Sequence, residues 1–454
     1  MEANTSTTVA GAGEMKRVLR MPQLIFFGVA FLSPGAVLLY FGPLNALSQG
    51  HFPMVVALTM IAMLFTASSY AKMSRRYPVA GSVYSYTAKT MHPNLGFVAG
   101  WAIMADYLLM PMICYLYNAI YLQVLMPGVP LWVFIVLTII VATGLNLLGI
   151  KFAANVDLGL ALIGVIFLAG TIVTAIIFIF GQPDLALANP KVLLNTANFT
   201  GSGVFASAAI FCVAFLGFDA VSTLAEETIN PQKNIGRAAI GVCIVVGAMF
   251  IITSYIMNAA WPNGWNEFEN SDNALTEFYV RIGAPVFNYL FILYNTVACI
   301  AIAVAAQVAV SRVMYGMGRD GFLPKKFFAY LSPKAKVPAL NMILVGVIGL
   351  TAIIFKNNLT GALSLISFGA LSGFFFVNLS VIFQYWKKDK LRSASAVVKY
   401  LVVPIIGMII ILYLLISLQR LAQIVGVIWL ALGVIYLLIK TRGFKQLPPE
   451  IQDI

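Results

Sequence analysis

Apolar residues along the chain fall into long blocks that are separated by short polar segments. A helix needs roughly 20 apolar residues to cross a hydrocarbon layer of about 30 Å, and twelve blocks approach or exceed that length. The pattern therefore predicts an all-α integral membrane protein with about twelve transmembrane helices. The predicted spans lie near residues 22–47, 54–71, 95–126, 130–149, 153–180, 199–225, 238–259, 286–315, 338–355, 359–386, 398–418 and 422–439.

Composition agrees with a lipid environment. The chain has 454 residues, of which 61% are hydrophobic and 10% are charged, and its mean hydropathy is +0.93. Soluble globular proteins carry about 25% charged residues. Because one soluble core cannot bury so much apolar surface, we expect the chain to lie in membrane lipid.

Basic residues are concentrated on one side of the predicted membrane. If the N-terminus is cytoplasmic, the inner segments hold 24 of the 28 Lys and Arg residues, and the outer segments hold Lys191, Arg281, Lys356 and Arg420. This distribution follows the positive-inside rule, so we expect a multi-pass protein of the plasma membrane with both termini in the cytoplasm. It also accounts for the net charge of +12, so nucleic acid is not expected as a partner.

The longest outer segment, about residues 260–285, is acidic instead. Its carboxylates are Glu267, Glu269, Asp272 and Glu277. We expect this segment to be a solvated cap, and the alternative is that it attracts a cationic substrate.

The sequence offers little material for metal or nucleotide chemistry. Only His51 and His92 are present, so no zinc site is expected. The nucleotide-binding pattern GxxxxGK[ST] is absent, and residues 316–321 (GMGRDG) follow an apolar helix rather than the strand that a dinucleotide site requires. No cofactor is therefore expected. The four cysteines predict small buried residues, because they lie in apolar blocks without a CxxC pair: Cys114, Cys212, Cys243 and Cys299.

Two predicted spans carry interruptions near their middle. In the first span, Ser33, Pro34 and Gly35 are followed by Ala36, and proline and glycine both favour local unwinding. In the sixth span, Gly217 and Phe218 precede Asp219. Matched breaks in corresponding helices are typical of a transporter site, where helix ends and freed carbonyls contact the substrate. The alternative is that one is a packing kink and the other a helix contact.

Carboxylates inside a membrane are costly and need an explanation. Asp219 directly follows the second break, so a substrate amine or a proton can reach it. Asp106, beside Tyr107 in the third span, either pairs helices or lines the path. Asp157 is expected to be structural, because it lies close to Lys151 at the start of the fifth span.

Three segments resemble the amino acid–polyamine–organocation superfamily. They are residues 75–86 (RRYPVAGSVYSY), residues 217–219 (GFD) with 226–238 (EETINPQKNIGRA), and residues 311–324 (SRVMYGMGRDGFLP). Within the superfamily, residues 101–112, 341–346 and 376–382 are most similar to bacterial putrescine importers. The resemblance covers the chain from the first span to the last.

This resemblance implies a fold and an activity. The fold is a five-plus-five inverted repeat with broken helices 1 and 6 and two added C-terminal helices. Its expected parts are a cytoplasmic tail at 1–20, one transporter domain at 21–440 and a second tail at 441–454. Repeat one covers about 21–180, repeat two about 198–386 and the added helices about 398–439. The implied activity is proton-driven uptake by alternating access.

The expected function is import of a polyamine or an amino acid, coupled to protons, without enzymatic chemistry. Exchange of one substrate for another by the same fold is the alternative. One departure from polyamine importers is the sequence Val37-Leu38-Leu39-Tyr40 after the first break, where relatives tend to carry hydroxyl or acidic groups. A diamine needs partners for two ammonium groups, so this patch favours a monoamine or an apolar amino acid.

The expected substrate contacts follow from these breaks. They are Ser33, Pro34, Gly35, Ala36, Tyr107, Gly217, Phe218 and Asp219. Proton coupling or gating is assigned to Asp219, Asp106, Glu226 and Glu227. The last two are expected near Arg75 and Arg76, as an inner gate or as a structural ion-pair cluster.

Overall fold

The computed structural model describes residues 19–77, 82–149, 154–218, 221, 228–319, 323–333 and 335–444, with the backbone alone at 31, 82 and 154–158. Helices form almost all of this part of the chain, and its β-structure is one isolated parallel bridge between Leu19 and Thr228. The predicted all-α architecture is confirmed.

Eight helices are long and apolar enough to cross a membrane. They are Phe52–Arg76 (α3), Pro93–Leu125 (α5), Gly159–Phe180 within Ala154–Phe180 (α7), Pro231–Ala260 (α9), Pro285–Arg319 (α12), Leu359–Lys388, Ala394–Ser417 and Arg420–Lys440 (α18). The span Leu359–Lys388 consists of α15 (Leu359–Val381) and a π-helical end, and Ala394–Ser417 contains α16 (Ala394–Val397) and α17 (Val403–Ser417).

Shorter apolar helices fill the remaining predicted spans. They are Met21–Phe31 (α1), Ala36–Leu47 (α2), Leu131–Leu147 (α6), Gly201–Phe211 (α8) with a 3₁₀ extension to Phe215, and Ala339–Gly349 (α14) with a 3₁₀ extension to Ile353. Short helices also lie outside the apolar blocks, among them Ser82–Thr90 (α4) and Lys325–Phe328 (α13).

The first span is interrupted where Ser-Pro-Gly predicts it. Helix α1 ends at Phe31 and α2 begins at Ala36. Between them Ser33 has φ = 51°, a left-handed conformation that is uncommon for a residue with a side chain. The Ser33 carbonyl accepts a tight turn bond from the N–H of Ala36 at 2.8 Å. The break is therefore a sharp turn rather than a gentle kink.

The sixth span is interrupted at its predicted glycine. Helix α8 tightens into a 3₁₀ turn at Cys212–Phe215, and Leu216 then has extended backbone angles. Gly217 has φ = 116°, which only glycine adopts readily. This segment therefore leaves helical geometry before residue 219.

The acidic segment between α9 and α12 is folded against the helices. It contains α10 (Gly264–Glu267), a 3₁₀ turn at Ser271–Asn273 and α11 (Ala274–Arg281). Leu275, Phe278 and Tyr279 are buried, and the ring of Phe278 packs edge-on against Phe41 of α2 at 5.3 Å. Glu267 and Glu269 are exposed, as expected of a solvated cap, but the apolar face of α11 is part of the core.

The last helix is fastened to α5 by two indoles. Trp101 donates its Nε1–H to the carbonyl of Trp429 at 2.9 Å, and Trp429 donates to the carbonyl of Trp101 at 2.8 Å. The two rings stack with centroids 4.8 Å apart. Gly433 makes room for this pair, because a Cβ there would collide with Trp101.

Candidate functional site

The two interrupted spans run side by side in opposite directions. We call the side of the breaks that holds α1 the lower side and the side that holds α2 the upper side. On the lower side, the carbonyl of Leu19 accepts a hydrogen bond from the N–H of Ile229 at 2.9 Å. Nearer the breaks, a Cβ on Gly28 would lie 3.1 Å from Cγ2 of Val221. The lower halves of both spans therefore touch.

The upper halves touch as well. The ring of Tyr40 in α2 packs edge-on against Phe211 of α8 with centroids 5.3 Å apart. Further from the break, Ser207 of α8 donates its hydroxyl to the carbonyl of Leu44 at 3.4 Å. Along both sides, later residues of the first span meet earlier residues of the sixth.

This register brings the breaks together. Gly28 meets Val221 below them and Tyr40 meets Phe211 above them. Residues 33–35 lie about halfway between positions 28 and 40 of the first span. Residues 216–218 lie about halfway between positions 211 and 221 of the sixth, so the two intervals are opposite each other. In two non-helical segments at one depth, amide and carbonyl groups are free of the hydrogen bonds that they would form within a helix.

A tyrosine from α12 packs against the first break. A Cβ on Gly35 would lie 2.9 Å from the hydroxyl oxygen of Tyr294, and a Cβ on Gly164 of α7 would lie 2.7 Å from the same oxygen. The hydroxyl is also close to Ser33, but it forms no well-aligned hydrogen bond with the described residues. Because Gly35 and Gly164 have no side chains, the Tyr294 hydroxyl fits at the edge of the break.

Helix α5 presents a polar stripe toward α2. Asp106, Cys114, Tyr117 and Tyr121 are spaced by eight, three and four residues, which places them on one helical face. All four are buried. The ring of Tyr40 lies edge-on to Tyr117 at 6.1 Å, and its hydroxyl is within electrostatic reach of Asp106 and Cys114.

This stripe bears on two features of the sequence. Tyr40 contributes a hydroxyl near Asp106, so the segment after the first break is not uniformly apolar. Cys114 is buried and free, as predicted, and the other three cysteines are too. The stripe itself was missed, although the helical spacing of Asp106, Cys114, Tyr117 and Tyr121 is visible in the sequence.

Two predicted contact residues differ in exposure. Tyr107 is 42% exposed, whereas Asp106 beside it is buried. Phe218 is fully buried and packs edge-on against Tyr70 of α3 at 5.4 Å and, tilted, against Phe374 of α15 at 5.6 Å. The roles of Phe218 and Tyr107 as substrate contacts stay predictions.

Three carboxylates of the predicted site lie outside the described residues: Asp219, Glu226 and Glu227. The side chain of Asp157 lies outside them as well. Pro34 and Gly35 are buried at the first break, and Ser33 and Ala36 are partly exposed there. The described part of the site therefore consists of the two breaks, Tyr294 and the stripe on α5.

The lower ends of α3 and α15 are joined by an ion pair. Arg76 lies 3.9 Å from the carboxylate of Asp389, which also accepts a hydrogen bond from Gln384. Tyr77 donates to Gln384, and Tyr385 donates to the carbonyl of Lys72. Arg76 thus has a described acidic partner in addition to the expected Glu226 and Glu227.

Comparison with known proteins decides the family. The family model described as "Amino acid permease" matches residues 27–447, which include both breaks and the stripe on α5. The chain belongs to the amino acid permease family. It is accordingly a membrane transport protein and not an enzyme.

Individual relatives of this permease cover almost the whole chain. It is 36% identical to the low-affinity putrescine importer PlaP of Escherichia coli K12, with 97% of both chains aligned. It is 27% identical to the methylthioribose transporter of Bacillus subtilis, with 95% of both chains aligned. The branched-chain amino acid permease BcaP of Bacillus subtilis is 23% identical over 96% of both chains. These relatives differ in the solute named for them.

Proposed function

We propose that this permease is a proton-coupled importer of a small amine of the putrescine type, or of an amino acid. The observation that carries the proposal is the alignment of residues 33–35 with residues 216–218 at one depth. Exposed backbone groups in a membrane interior are tolerated where they line a cavity or bind a solute. The relation to a putrescine importer over nearly the full length supports an amine as the solute.

The proposed topology has twelve spans with both termini in the cytoplasm. The eight long helices supply eight spans. Helices α1 and α2 together form one more, and α6, α8 with its continuation, and α14 with its 3₁₀ end form the other three. Two inverted repeats of five spans precede α17 and α18, so the first and sixth spans are corresponding members. The lower side of the breaks is then cytoplasmic.

In the proposed site, the two breaks contact the substrate through backbone groups of Ser33, Gly35, Ala36 and Gly217. Asp219 is the ionic partner of an ammonium group or the carrier of the coupled proton. Its position next to Phe218 in the sequence puts it beside the second break. A carboxylate in a membrane interior favours a bound cation or proton, because an isolated charge there is costly.

Asp106 supplies the second anionic group that a diamine needs. It is buried on the same helical face as Tyr117, with the Tyr40 hydroxyl in electrostatic reach. A carboxylate with hydroxyls nearby suits a primary ammonium group, which has three hydrogen-bond donors. Together with Asp219, Asp106 provides one carboxylate for each of the two ammonium groups of a short diamine, which favours putrescine despite the apolar residues at 37–39.

Uptake into proteoliposomes under an imposed pH gradient tests the proposal. We expect saturable uptake of labelled putrescine or of a branched-chain amino acid that stops when a protonophore collapses the gradient. Asp219→Asn should abolish the response to the gradient, and Asp219→Glu should retain part of it. Uptake by Asp219→Asn with wild-type proton dependence contradicts the coupling role.

The same experiment separates import from exchange. An exchanger takes up labelled solute only when unlabelled solute is present inside, and it does not respond to the pH gradient. Counterflow without any gradient-driven uptake would therefore replace symport with exchange while leaving the binding site intact.

A further inference from the structure

The acidic segment above the membrane helices holds one half-buried carboxylate that has no partner among the described residues. Glu267 accepts a hydrogen bond from the indole of Trp261 and lies 3.8 Å from Arg281. Glu277 accepts from the backbone N–H groups of Glu269 and Asn270, both at 3.0 Å. These two acids stabilise the segment itself.

Asp272 is different. Its backbone N–H donates to Asn270, but its carboxylate has no hydrogen bond or ion pair with any described residue. The side chain is nevertheless half-buried. Partial removal of a carboxylate from water without a partner is unfavourable. A half-buried, unpaired aspartate therefore favours binding of a cation from outside the protein.

The position of Asp272 is fixed by the helix that follows the first break. A Cβ at Gly42 of α2 would collide with the carbonyl of Ser271 and would lie 2.7 Å from Ala274. The neighbouring Phe41 packs edge-on against Phe268 at 5.7 Å and against Phe278 at 5.3 Å. The turn that carries Asp272 therefore rests directly on α2, and it also contacts α5.

Helix α5, which this turn contacts, carries several buried tyrosine hydroxyls. Those of Tyr117 and Tyr121 are within electrostatic reach of Asp272. The side chain of Tyr117 is 3% exposed, and its hydroxyl has no hydrogen-bond partner among the described residues. A buried, unpartnered hydroxyl within electrostatic reach of a half-buried, unpaired carboxylate, on two elements in contact, is a polar site without an occupant supplied by the fold.

We propose that Asp272 and Tyr117 form an outer binding site for the primary ammonium group of an incoming amine. The carboxylate contributes the opposite charge, and the hydroxyl oxygen accepts a hydrogen bond from the ammonium group. The aromatic faces of Tyr117 and Tyr121 add attraction for a cation. Tyr40 lies edge-on to Tyr117 and within reach of Asp106, so the stripe on α5 leads from this outer site to the central one.

This inference rests on the proposed function for its direction of transport, but the binding it describes is independent of coupling. The site selects positive charge at the entrance, before the substrate meets the breaks. An amine with two ammonium groups should therefore depend on Asp272 more than a zwitterionic amino acid does.

Direct binding and uptake test the site together. The purified full-length protein is titrated with 1,4-diaminobutane and with 1,4-butanediol, and binding is followed by calorimetry. Asp272→Asn should weaken diamine binding and raise its KM about fivefold, because a partly exposed ion pair contributes about 1 kcal/mol. The maximal uptake rate should change little. Glu269→Gln is the matched control, since it removes the same charge from an exposed position in the same segment.

Tyr117→Phe keeps the ring and removes only the hydroxyl. It should weaken diamine binding about threefold, and the double variant with Asp272→Asn should lose less than the product of the single effects, because both groups hold one ammonium. The uncharged 1,4-butanediol should bind no better to any variant than to the wild type.

Failure of this site and failure of the proposed function give different results. Equal diamine affinity in the wild type, Asp272→Asn and Glu269→Gln overturns the site, even if uptake is proton-driven. An absence of diamine binding by the wild type overturns it as well. A fivefold loss of affinity in Asp272→Asn, with no gradient-driven uptake by the wild type, supports the site and contradicts the proposed function.

Discussion

Gly35 lies against Tyr294 so closely that a methyl group on the glycine would come within 2.9 Å of the tyrosine hydroxyl. Gly164 of α7 touches the same hydroxyl from the other side, and a Cβ there would also lie 3.1 Å from the backbone nitrogen of Gly35. The first break is therefore in tight contact with two further helices. Substitutions at these glycines act on the shape of the break without changing its charge.

The first prediction concerns this contact. Gly164→Ala should destabilise the protein by about 1–3 kcal/mol through overpacking and should reduce uptake, because the first break must shift. Adding Tyr294→Phe removes the oxygen that lies 2.7 Å from the new Cβ, so the double variant should recover part of the stability. Thermal unfolding in detergent and initial uptake rates measure both effects.

Gly159→Ala on the same helix is the control, because no atom of the described residues outside its own helical surroundings lies within 4 Å of the added Cβ. It should leave both the unfolding temperature and uptake unchanged. Equal destabilisation by Gly159→Ala and Gly164→Ala would show that loss of helical glycine, not contact with Tyr294, is the cause.

The second prediction concerns external pH. Partial burial raises the pKa of Asp272 above that of a free aspartate, because desolvation disfavours the charged form. The carboxylate therefore becomes protonated at a higher pH than usual as the medium is acidified. Since a neutral acid does not attract an ammonium group, KM for a diamine should rise as pH falls through this range.

This effect is opposite in sign to proton coupling, in which acid outside raises the rate. Uptake is therefore measured with a constant pH difference across the vesicle while both sides are acidified together. In Asp272→Asn the KM should be higher at neutral pH and nearly independent of pH. A pH dependence of KM equal to that of the wild type would assign the titration to another group.

The third prediction concerns a polar contact between three helices. Gln307 of α12 donates to Thr143 of α6 at 3.0 Å and to the carbonyl of Met342 of α14 at 2.8 Å, and it accepts from Asn146 of α6 at 2.6 Å. Gln307→Met keeps the approximate volume and removes all three bonds. Interhelical hydrogen bonds in membranes average about 0.6 kcal/mol, so we expect a loss of about 2 kcal/mol in thermal unfolding.

Gln423→Met is the control for this variant, because the Gln423 side chain in the first turn of α18 bonds, among the described residues, only the nearby carbonyls of Ile416 in α17 and Leu418. Its effect should be smaller than that of Gln307→Met. Equal losses in the two variants would indicate that burial among three helices adds nothing to these bonds.

The fourth prediction concerns the ion pair of Arg76 and Asp389. The Arg76 side chain is 53% exposed and the separation is 3.9 Å, so the pair should contribute less than about 1 kcal/mol. Asp389→Asn should hardly change the unfolding temperature at any salt concentration. A loss as large as that of Gln307→Met would show instead that the pair holds the lower ends of α3 and α15 together.

The sequence predicts the helices and their breaks because both depend on local chemistry. Long apolar blocks must be helical in lipid, and the adjacent Ser33-Pro34-Gly35, like Gly217, favours local unwinding of a helix. The observed ends at Phe31 and Ala36 agree with the predicted interruption to within a few residues. Neither feature needs information from distant parts of the chain.

The surroundings of the breaks depend on tertiary packing, so the sequence alone does not predict them. Tyr294 reaches the first break only because Gly35 and Gly164 leave room on two other helices. The acidic residues between α9 and α12 suggested solvent, but the apolar face of α11 places that segment on α2. Asp272 differs from Glu267 and Glu277 because those two carboxylates have partners, and only the structure shows these partners.

The paired indoles of Trp101 and Trp429 bear on where this transporter can be shortened. A chain cut ahead of residue 420 would leave the Trp101 indole N–H without its acceptor and would remove the helix that packs on the Trp101 ring at Gly433. Deleting the final helix should therefore also disturb α5, because α5 loses the partner of its Trp101 side chain. Reporter fusions intended to leave transport intact belong beyond residue 440, where the indole pair stays whole.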